Sequence, residues 1–548
     1  MHDAADTSKV EWRSWGADAF EDAEEAGKPV LVSLSAYWCE WCQEMDEVVY
    51  DEPRLAANVN DGFVPVRVDA DAHPRVRERY NMGGFPSTVF CTPSGAIMSG
   101  ATYLDGDGFR QVLDRVREAW DEKGADAGRI PRALQDQELP AGAVTGDVER
   151  LVAGQLDDKF DDEHAGWGTA EKFPLPRTIE FALKRERSQA TRTLDAIRGH
   201  LLDDADGGFY RYANERDWSD AQREKLLDVN AGLLRAFAHG YLNTGDDAYR
   251  ETAARTVDYL TETLWTGEYF AGSQAPSDYY GLSATERAGV EEPPVDDRAF
   301  AEKNALAADA LCWYAAYTDE DRAQRYAERT LAYLDRALVA ADGTVSHVPD
   351  ADTEQTGLLT DQAAVLNAYV TAAQVLGDDY LDQATTVADR TVDLLQETET
   401  NAGALRDGPL EGVGLLDRPL YPLDDNALVA DSLVDLHHLT DRVDYDDATQ
   451  EILAAFAGAS DRMGVQVAGY ATATARFVHR PLVIAVADDP WSDLHRAALR
   501  MADHEKVVVP NADGQAGTAW LVETDGPSDV VDSPQRLANL VSSRSTDS

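Results

Sequence analysis

Two cysteines three positions apart are the residues of this chain best suited to do chemistry. Cys39 and Cys42 lie in the segment 37–42 (YWCEWC), directly after the apolar run 30–34. A strand that ends in C-x-x-C and continues as a helix is typical of a thioredoxin-like redox site. The first cysteine would lie at the helix N-terminus, where unpaired N–H groups and the helix dipole favour a thiolate. We therefore predict that Cys39 is the attacking thiol and that Cys42, one turn on, resolves the mixed disulfide.

The chain after this pair is typical of the same site. Its pattern predicts a strand over 63–69, a helix over 73–80, and a strand that opens at Pro86 and ends in a turn at 92–95. Thioredoxin folds place a cis-proline at that strand start, facing the cysteines, and a cis X–Pro bond is rare enough to be a functional feature. We therefore include Pro86 in the predicted catalytic site. The alternative is a zinc site, which would need a second Cys/His pair at ligand spacing, whereas Cys91 and Cys312 stand alone.

The charge of the chain is unusual. There are 49 Lys and Arg residues against 101 Asp and Glu, a formal net charge of -52, and the acidic residues are spread over the whole chain. Like charge at this density destabilises a compact state at low salt. At molar salt the Debye length falls to about 3 Å and screens the repulsion. We interpret the composition as adaptation to a cytosol with molar salt; the rival interpretation is a cation store or a surface for basic partners.

Several classes of protein are disfavoured. No basic stripe is present to meet phosphates, which predicts no nucleic-acid partner. No run of about 18 apolar residues occurs, which predicts no membrane span. The first residues lack a basic start and an apolar core, so we expect no signal peptide and a cytoplasmic location. We expect no metal and no cofactor other than the redox-active dithiol/disulfide.

The pattern changes twice along the 548 residues, too many for one core. Residues 1–124 form the predicted α/β thioredoxin-like domain, and 125–145 form a linker rich in Gly, Pro and acidic residues. Residues 146–476 carry paired amphipathic helices without a fixed consensus period, which favours a closed (α/α)6 six-hairpin toroid over a solenoid. Residues 477–548 alternate short strands and helices and form a small β-rich appendage. The predicted fold class is therefore multidomain.

Motifs in order along nearly the whole chain resemble the thioredoxin-domain proteins of the YyaL type, related to the spermatogenesis-associated thioredoxin-domain protein. The family's C-H-W-C, G-G-W-P, K-F-D…K-F-P, G-G-F-x-R-Y…F-E-K-M-L-Y-D-N and V-D-D…N patterns resemble, in turn, 39–42, 83–86, 159–174, 207–230 and 295–304. The resemblance implies a thioredoxin-like domain joined to a six-hairpin barrel similar to those of glycosidases and N-acyl-glucosamine epimerases. It implies no settled substrate, and the acidic composition suits a haloarchaeal-type member.

The chain departs from the family at two positions. Glu40 replaces the histidine between the cysteines, and a carboxylate beside Cys39 disfavours the thiolate. We therefore expect a more reducing dithiol. Gln222 and Arg223 stand where the family has H-F, which removes an acid/base histidine from the barrel.

A sugar site needs aromatic rings for stacking and paired carboxylates for proton transfer. Glu224 and Asp228 are one helical turn apart and so share a face. Because acidic residues are abundant, any one Asp is more often a solvated surface group, and the tryptophans are equally suited to core packing. The predicted cavity residues are Trp167, Arg211, Tyr212, Asp217, Trp218, Glu224, Lys225, Asp228, Asp278, Tyr279, Tyr280, Asp296, Asp297, Asp361 and Asp425.

Three functions remain open from the sequence. The first, which the cysteine pair favours, is a thiol–disulfide oxidoreductase whose barrel binds a thiol or disulfide protein or a small-molecule substrate. The second is a sugar-active enzyme, an epimerase or hydrolase, with an accessory thioredoxin domain; the lost barrel histidine weakens it. The third is a glycan- or peptide-binding module. The chemistry of the cysteine pair favours the first function, and similarity of fold alone assigns none of the three.

The charge generates a test of the salt adaptation. The midpoint of thermal unfolding should rise as KCl is increased from about 0.1 M to a few molar, because screening of the surface carboxylates becomes nearly complete over that range. Circular dichroism melts at constant pH would measure it. An unchanged or falling midpoint would contradict the halophilic interpretation.

Overall fold

The structure is a computed structural model that describes residues 8–135, 138–349, 355–523 and 526–544. The chain folds into two compact units. The first comprises Met1–Gln137, Ala351–Gln355 and Asp407–Leu420, and the second comprises the remainder. The elements of the first unit are β1 (Arg13–Ser14), α1 (Ala17–Ala26), β2 (Val30–Ser35), α2 (Glu40–Met45), α3 (Pro53–Gly62), β3 (Val64–Asp69), α4 (Pro74–Tyr80), β4 (Ser87–Cys91), β5 (Ile97–Ala101) and α5 (Gly106–Lys123).

The first unit is a five-stranded sheet covered on both faces. Its strand order is β1-β3-β2-β4-β5, with β1, β3 and β2 parallel and β4 and β5 antiparallel to their neighbours. Side chains of a strand alternate between faces. Val32 accordingly packs with Phe20 of α1 and Tyr80 of α4. Leu31 packs on the other face with Phe109 of α5. The sequence prediction of an α/β thioredoxin-like domain is confirmed.

A segment distant in sequence completes the first unit. Leu415 and Leu416 pack in the same core cluster as Tyr80. Asp407, at the start of this segment, is 7% exposed and accepts hydrogen bonds from Arg79 Nη1 at 2.7 Å and Arg75 Nε at 3.2 Å. The two guanidinium groups also donate to the carbonyls of Leu415 and Leu416. The sequence assigned 407–420 to the barrel, whereas its side chains pack with the thioredoxin-like sheet.

The second unit is built mainly from paired helices. They are α6 (Asp147–Lys159), α7 (Pro176–Arg185), α8 (Arg187–His200), α9 (Leu227–Thr244), α10 (Asp247–Tyr259), α11 (Ala284–Arg287), α12 (Ala301–Thr318), α13 (Asp321–Ala337), α14 (Leu359–Val375), α15 (Leu381–Leu395), α16 (Leu423–Thr440), α17 (Val443–Phe456), α18 (Ala468–His479), α19 (Asp493–Leu499) and α20 (Pro534–Arg544). The strands are β6 (Tyr212–Ala213), β7 (Ala221–Gln222), β8 (Lys225–Leu226), β9 (Ser273–Gln274), β10 (Val295–Asp296), β11 (Val483–Ala487), β12 (Val507–Val509), β13 (Thr518–Glu523) and β14 (Gly526–Pro527).

Within the described part of the chain, six of these helices close a ring. Each of α7, α9, α12, α14, α16 and α18 packs against the next, and α18 packs back against α7. A second set lies outside the ring: α8, α10, α13, α15, α17 and α6. Helices α12 and α14 are buried on nearly all sides, as expected of inner helices that contact neighbours all round. The predicted six-hairpin toroid is confirmed.

The loops that precede four inner helices are held by the same kind of hydrogen bond. Each helix has an amide side chain at its fourth position: Asn230, Asn304, Gln362 and Asn426. Asn230 accepts from the N–H of Phe209 and donates to the carbonyl of the same residue, and the other two asparagines do the same with Phe270 and Leu405. Gln362 accepts from the N–H of Val345. A buried loop needs such partners for its backbone. The repeat is structural, although its irregular spacing gives no consensus in the sequence.

Three boundaries differ from the sequence prediction. The pattern over 177–202 predicted one helix, but the chain breaks at Glu186 (φ -134°) and turns back as α8. The helix predicted from 220 begins at Leu227, because β7 pairs with β6 and β8 pairs with β9 as short antiparallel strands. Helix α18 was missed, since its many Ala residues show no clear polar face. These changes supply the helices that close the ring.

The predicted β-rich appendage has the strand order β12-β11-β13-β14, with α19 and α20 beside it. It belongs to the second compact unit rather than forming a third. It packs on the barrel: Val508 N–H donates to Gln374 Oε1 of α14 at 3.0 Å, and His495 Nε2 lies 2.9 Å from the carbonyl of the same residue. Among the described residues, no helix is both long and apolar enough to cross a bilayer.

Asp407 generates a test of the discontinuous unit. Asp407→Asn should lower the free energy of unfolding by about 3–5 kcal/mol at neutral pH, because it leaves two buried arginines without their counter-charge. The arginines hold the folded-state pKa of Asp407 below its usual value despite burial. Its contribution is therefore present above the unfolded pKa and is lost as pH falls through the folded pKa.

Chemical denaturation at neutral and acidic pH would measure the effect of this variant. The control is Asp417→Asn, an exposed carboxylate on the same segment. Equal stability of the two variants at neutral pH would contradict the assignment.

Candidate functional sites: the cysteine pair and the axial cavity

The cysteine pair lies where β2 passes into α2. Cys39 is the N-cap residue of α2, and its Sγ accepts a hydrogen bond from the N–H of Cys42 at 3.1 Å. The two cysteines are joined in a disulfide, and each is 5% exposed. A thiolate at Cys39 would accept the same N–H group and would lie at the positive end of the helix dipole. The geometry therefore favours Cys39 over Cys42 as the thiolate, although burial does not separate them.

Aromatic side chains surround the pair. Trp38 Nε1 donates to Asp71 Oδ2 at 2.8 Å, and its ring meets Phe85 edge-on at 5.5 Å. The Phe85–Pro86 peptide is cis, as the sequence predicted, and Pro86 is buried. Trp41, between the cysteines, is 53% exposed. An exposed tryptophan beside a reactive pair offers apolar contact area to an approaching substrate.

A cavity of about 310 Å³ lies on the axis of the barrel. All six inner helices line it: Glu180 of α7, Arg235 and His239 of α9, Trp313 of α12, Asn367 and Thr371 of α14, Asp424, Asp425, Asp431 and Asp435 of α16, and Arg476 of α18. His504, Glu505 and Lys506 of the appendage also line it. The volume is at the lower end of the range for small-molecule sites.

Two arginines organise the charge in this cavity. Arg235 donates to Glu180 Oε1 and Oε2 at 2.8 and 2.7 Å and to Asp309 at 2.7 Å. Arg476 donates to Asp431 at 2.5 Å and also to Asp435. Each guanidinium group thereby neutralises carboxylates that would be costly to bury unpaired. Burial still raises the pKa of Asp435 to about 6, against the opposing effect of Arg476.

Of the cavity residues predicted from sequence, Asp425 is among those that line the axial cavity. Trp218 is 1% exposed, and its Nε1 donates to the carbonyl of His164 at 2.9 Å. A Cβ on Gly166 would lie 2.7 Å from the Trp218 ring, which shows how tightly the indole is enclosed. Trp167 is 7% exposed and donates to Gln189. Both tryptophans therefore pack in the core.

The polar candidates near Trp218 occupy different environments. Arg211 donates to the buried Glu224 at 3.2 Å, and the ring of Tyr212 stacks on exposed Phe173 at 4.6 Å. Lys225 is buried against Asp203, and Tyr279 and Tyr280 are buried over Arg287. The structure does not gather these side chains around the axial cavity. Asp217, Asp278 and Asp297 are exposed, and Asp296 pairs with Arg298.

Three of the predicted carboxylates have a structural reason for their position. Asp228, Asp361 and Asp425 lie in the first turns of α9, α14 and α16. A carboxylate there is favoured by the helix dipole. Asp361 in addition lies 3.0 Å from His347 Nδ1 and accepts from the N–H of Glu302. Sequence reasoning missed Glu180, Arg235, Asp431 and Arg476, because no local pattern distinguishes an inner polar residue from a surface one.

Neither site gathers metal ligands. Within 8–135, 138–349, 355–523 and 526–544, no group of three or more His, Cys, Asp or Glu side chains is placed to hold a metal ion. Cys91 and Cys312 are buried and free, and burial raises the pKa of both thiols. A raised pKa keeps a thiol protonated and unreactive at neutral pH.

Comparison with known proteins supports the thioredoxin-like fold of the first unit. Residues 2–137 match the family Thioredox_DsbH, described as "Protein of unknown function, DUF255". The chain is 29% identical over 309 residues to human spermatogenesis-associated protein 20, which covers 49% of this chain and 39% of the human protein. It is also 29% identical over 122 residues, 21% of this chain and 32% of the other, to protein disulfide isomerase-like 2-2 of Oryza sativa subsp. japonica. The first unit is thus a thioredoxin-like domain of the thiol-oxidoreductase type.

Part of the chain is similar to solved structures. A sugar epimerase from a ruminal bacterium aligns with a TM-score of 0.46 at 13% identity, covering 56% of this chain and 84% of that one. At this similarity no inference about substrate follows. The chain spans well under half the length of the human relative that it matches.

Arg476 generates a test of the cavity's charge balance. Arg476→Met should lower the free energy of unfolding by about 3–5 kcal/mol at pH 8, since Asp431 and Asp435 lose their counter-charge. The loss should be smaller at pH 5. The folded-state pKa of Asp435 is raised to about 6. Asp435 therefore stabilises the fold at pH below its unfolded pKa, and that contribution is lost as the pH rises through the folded pKa.

Denaturation curves at the two pH values would measure this dependence. Arg462→Met, whose side chain is 67% exposed, is the matched control and should change stability little at either pH. Equal losses for Arg476→Met at pH 5 and pH 8 would contradict the account.

Proposed function

We propose that this protein is a thiol–disulfide oxidoreductase of thioredoxin type whose barrel binds the substrate or a part of it. The observation that carries the proposal is the position of Cys39. Its Sγ caps α2 and already accepts the N–H of Cys42, which is the group that would stabilise a thiolate there. Cys42 lies within bonding distance to resolve an intermediate, as the disulfide between the two residues requires.

The proposed reaction transfers two electrons to a substrate disulfide. The Cys39 thiolate attacks one sulfur of the substrate, forms a mixed disulfide and releases the other sulfur as a thiolate. Cys42 then attacks the Cys39 sulfur, which releases the second substrate thiol and leaves the Cys39–Cys42 disulfide. A dithiol reductant would return the pair to its reduced form. Exposed Trp41 and half-buried Phe85 would supply apolar contacts for the substrate.

The substrate is proposed as a thiol or disulfide protein or a small molecule. A carbohydrate or carbohydrate-bearing ligand would suit the axial cavity, which combines Trp313 with carboxylates and guanidinium groups. The cytoplasmic location and the salt adaptation also belong to this proposal. They are motivated by the low cysteine content and by the net charge of -52.

A second candidate is a sugar-active enzyme with an accessory thioredoxin domain. The carboxylates Asp431 and Asp435 in the cavity favour it, because burial raises the pKa of Asp435 toward the range that suits a general acid. Arg476 engages both carboxylates, however, which leaves them less available for proton transfer. A binding barrel without chemistry of its own is the third alternative. Sugar turnover that persists in a Cys39→Ser, Cys42→Ser double variant would favour the second candidate over the first.

The order of the two cysteines is testable with oxidised glutathione. Cys42→Ser should accumulate a mixed disulfide at Cys39, because the resolving thiol is missing. Cys39→Ser should accumulate little, because Cys42 lies inside the helix, away from the capping position. Mass spectrometry of the intact protein after quenching would measure the adduct.

Cys91→Ser is the matched control, since it removes a buried thiol distant in sequence from the pair and should behave like the unaltered protein. Equal trapping by the two active-site variants would refute the assignment of roles. Absence of trapping in both would refute the oxidoreductase proposal.

A further inference from the structure

The loop before β12 brings a lysine into the axial cavity. Lys506 is 2% exposed and lines the cavity beside His504 and Glu505. Its Nζ donates a hydrogen bond to the carbonyl of Asp503 at 3.0 Å. In the described part of the molecule, no carboxylate lies within ion-pairing distance of this amine. Among the described residues, Lys506 is therefore a buried amine at a cavity wall that makes no direct ion pair.

Two other buried lysines show what a structural lysine looks like in this protein. Lys172 Nζ donates to Asp161 at 3.1 Å and to two backbone carbonyls. Lys225 Nζ donates to Asp203 at 2.7 Å and to the carbonyl of Gly207. Burial lowers the pKa of both amines, that of Lys225 to about 8, but in each case the carboxylate opposes the shift and accepts a hydrogen bond from Nζ. Lys506 lacks such an environment.

The loop that carries Lys506 is held firmly. Asp503 accepts two hydrogen bonds from Lys184 of α7 at 3.0 Å, and Glu505 accepts from Arg185 of α7 at 2.5 Å. Arg476 of α18 donates to the Glu505 carbonyl at 3.1 Å. The two acidic neighbours of Lys506 are thus committed to other cations. The amine position is fixed by inner-ring helices rather than by its own charge.

The amine faces two aromatic rings, and the nearby charges of Asp503 and Lys184 act on it in opposite directions. Nζ lies 5.8 and 5.6 Å from the ring centroids of Trp313 and Tyr317 on α12. Tyr317 Oη in turn lies 3.2 Å from Nδ1 of His239 on α9, which lines the same cavity. Burial lowers the pKa of Lys506 to about 7, and burial also lowers the pKa of His239. At neutral pH a large part of Lys506 therefore carries a free lone pair.

We propose that Lys506 is a nucleophilic amine that captures an aldehyde or ketone entering the axial cavity and forms a reversible imine. The amine nitrogen adds to the carbonyl carbon, and loss of one water leaves a C=N bond to Nζ. No oxidant or reductant is consumed. Deprotonated amines in desolvated sites are the form of lysine that attacks carbonyl compounds.

The rest of the cavity favours a polyhydroxylated carbonyl compound, such as the open-chain form of a reducing sugar. Glu180, Asp431 and Asp435 supply acceptors for hydroxyl groups, and Arg235 and Arg476 supply donors. Trp313 supplies an apolar ring at the cavity wall. This inference extends the barrel part of the proposed function and does not depend on the cysteine pair.

Reductive trapping tests the proposal on the full-length protein in molar KCl. The protein is treated with glycolaldehyde and cyanoborohydride at pH 7, digested, and mapped for lysines that carry a hydroxyethyl group. Lys506 should be modified on the order of tenfold faster than exposed Lys123, because burial lowers the pKa of Lys506 to about 7 and so frees its lone pair. The rate at Lys506 should level off above about pH 7. Lys172 and Lys225 are internal controls and should remain unmodified.

Lys506→Met tests whether the amine matters beyond packing. Combined with Cys42→Ser, this variant should retain the modification of the exposed lysines and the glutathione trapping at Cys39, and should lose imine-dependent binding of a reducing sugar measured by borohydride-trapped mass. Modification of Lys506 no faster than that of Lys123, or none, would overturn the proposal and make Lys506 a packing residue. If Lys506 is labelled in the unaltered protein but Cys42→Ser traps no glutathione, the oxidoreductase proposal alone would be refuted.

Discussion

Enclosed pairs of opposite charge are the interaction on which both units depend. Asp407 joins Arg75 and Arg79 in the first unit, and Asp203 joins Lys225 and Arg287 in the second. In the inner ring, Arg235 and Arg476 each form ion pairs with two carboxylates. A chain with 49 basic and 101 acidic residues thus places a share of its few cations inside. Breaking such a pair leaves a buried charge, which is more costly than the pair's own net contribution.

The same charges respond differently to salt. Exposed carboxylates repel one another, and molar salt screens this repulsion within about 3 Å. Buried pairs are shielded from ions and screened much less. We therefore expect salt to act mainly on the acidic surface, while the ion pairs that hold the Asp407 segment and the inner helices remain effective.

The two candidate sites use opposite ways of tuning a nucleophile. At Cys39 the helix N-terminus offers N–H groups that stabilise the anionic thiolate. At Lys506 burial destabilises the cationic ammonium and so exposes the lone pair. The first depends on local structure within one strand–helix turn, and the second on a loop from the appendage held against α7 and α18.

The amide residues in the first turn of the inner helices explain how irregular loops are compatible with a regular ring. Asn230, Asn304 and Asn426 fix the backbone of the preceding loop to the first turn of the next helix. The loops between those anchors are then free to differ in length and composition. Such an arrangement gives one architecture with variable loops at one end, which is where binding specificity is usually carried.

The sequence by itself determined the features that depend on neighbours along the chain. The C-x-x-C after an apolar strand, the proline at 86 and the paired amphipathic helices are local patterns, and they predicted the thioredoxin-like domain and the six-hairpin class. Only the tertiary structure decided which polar residues meet. Asp407 is 328 positions from Arg79, and Lys506 lies 189 positions after Tyr317. The sequence predicted Trp218 as a cavity residue and missed Asp431, yet Trp218 packs in the core and Asp431 lines the axial cavity. Burial and charge pairing are set by contacts between distant segments, and no local pattern encodes them.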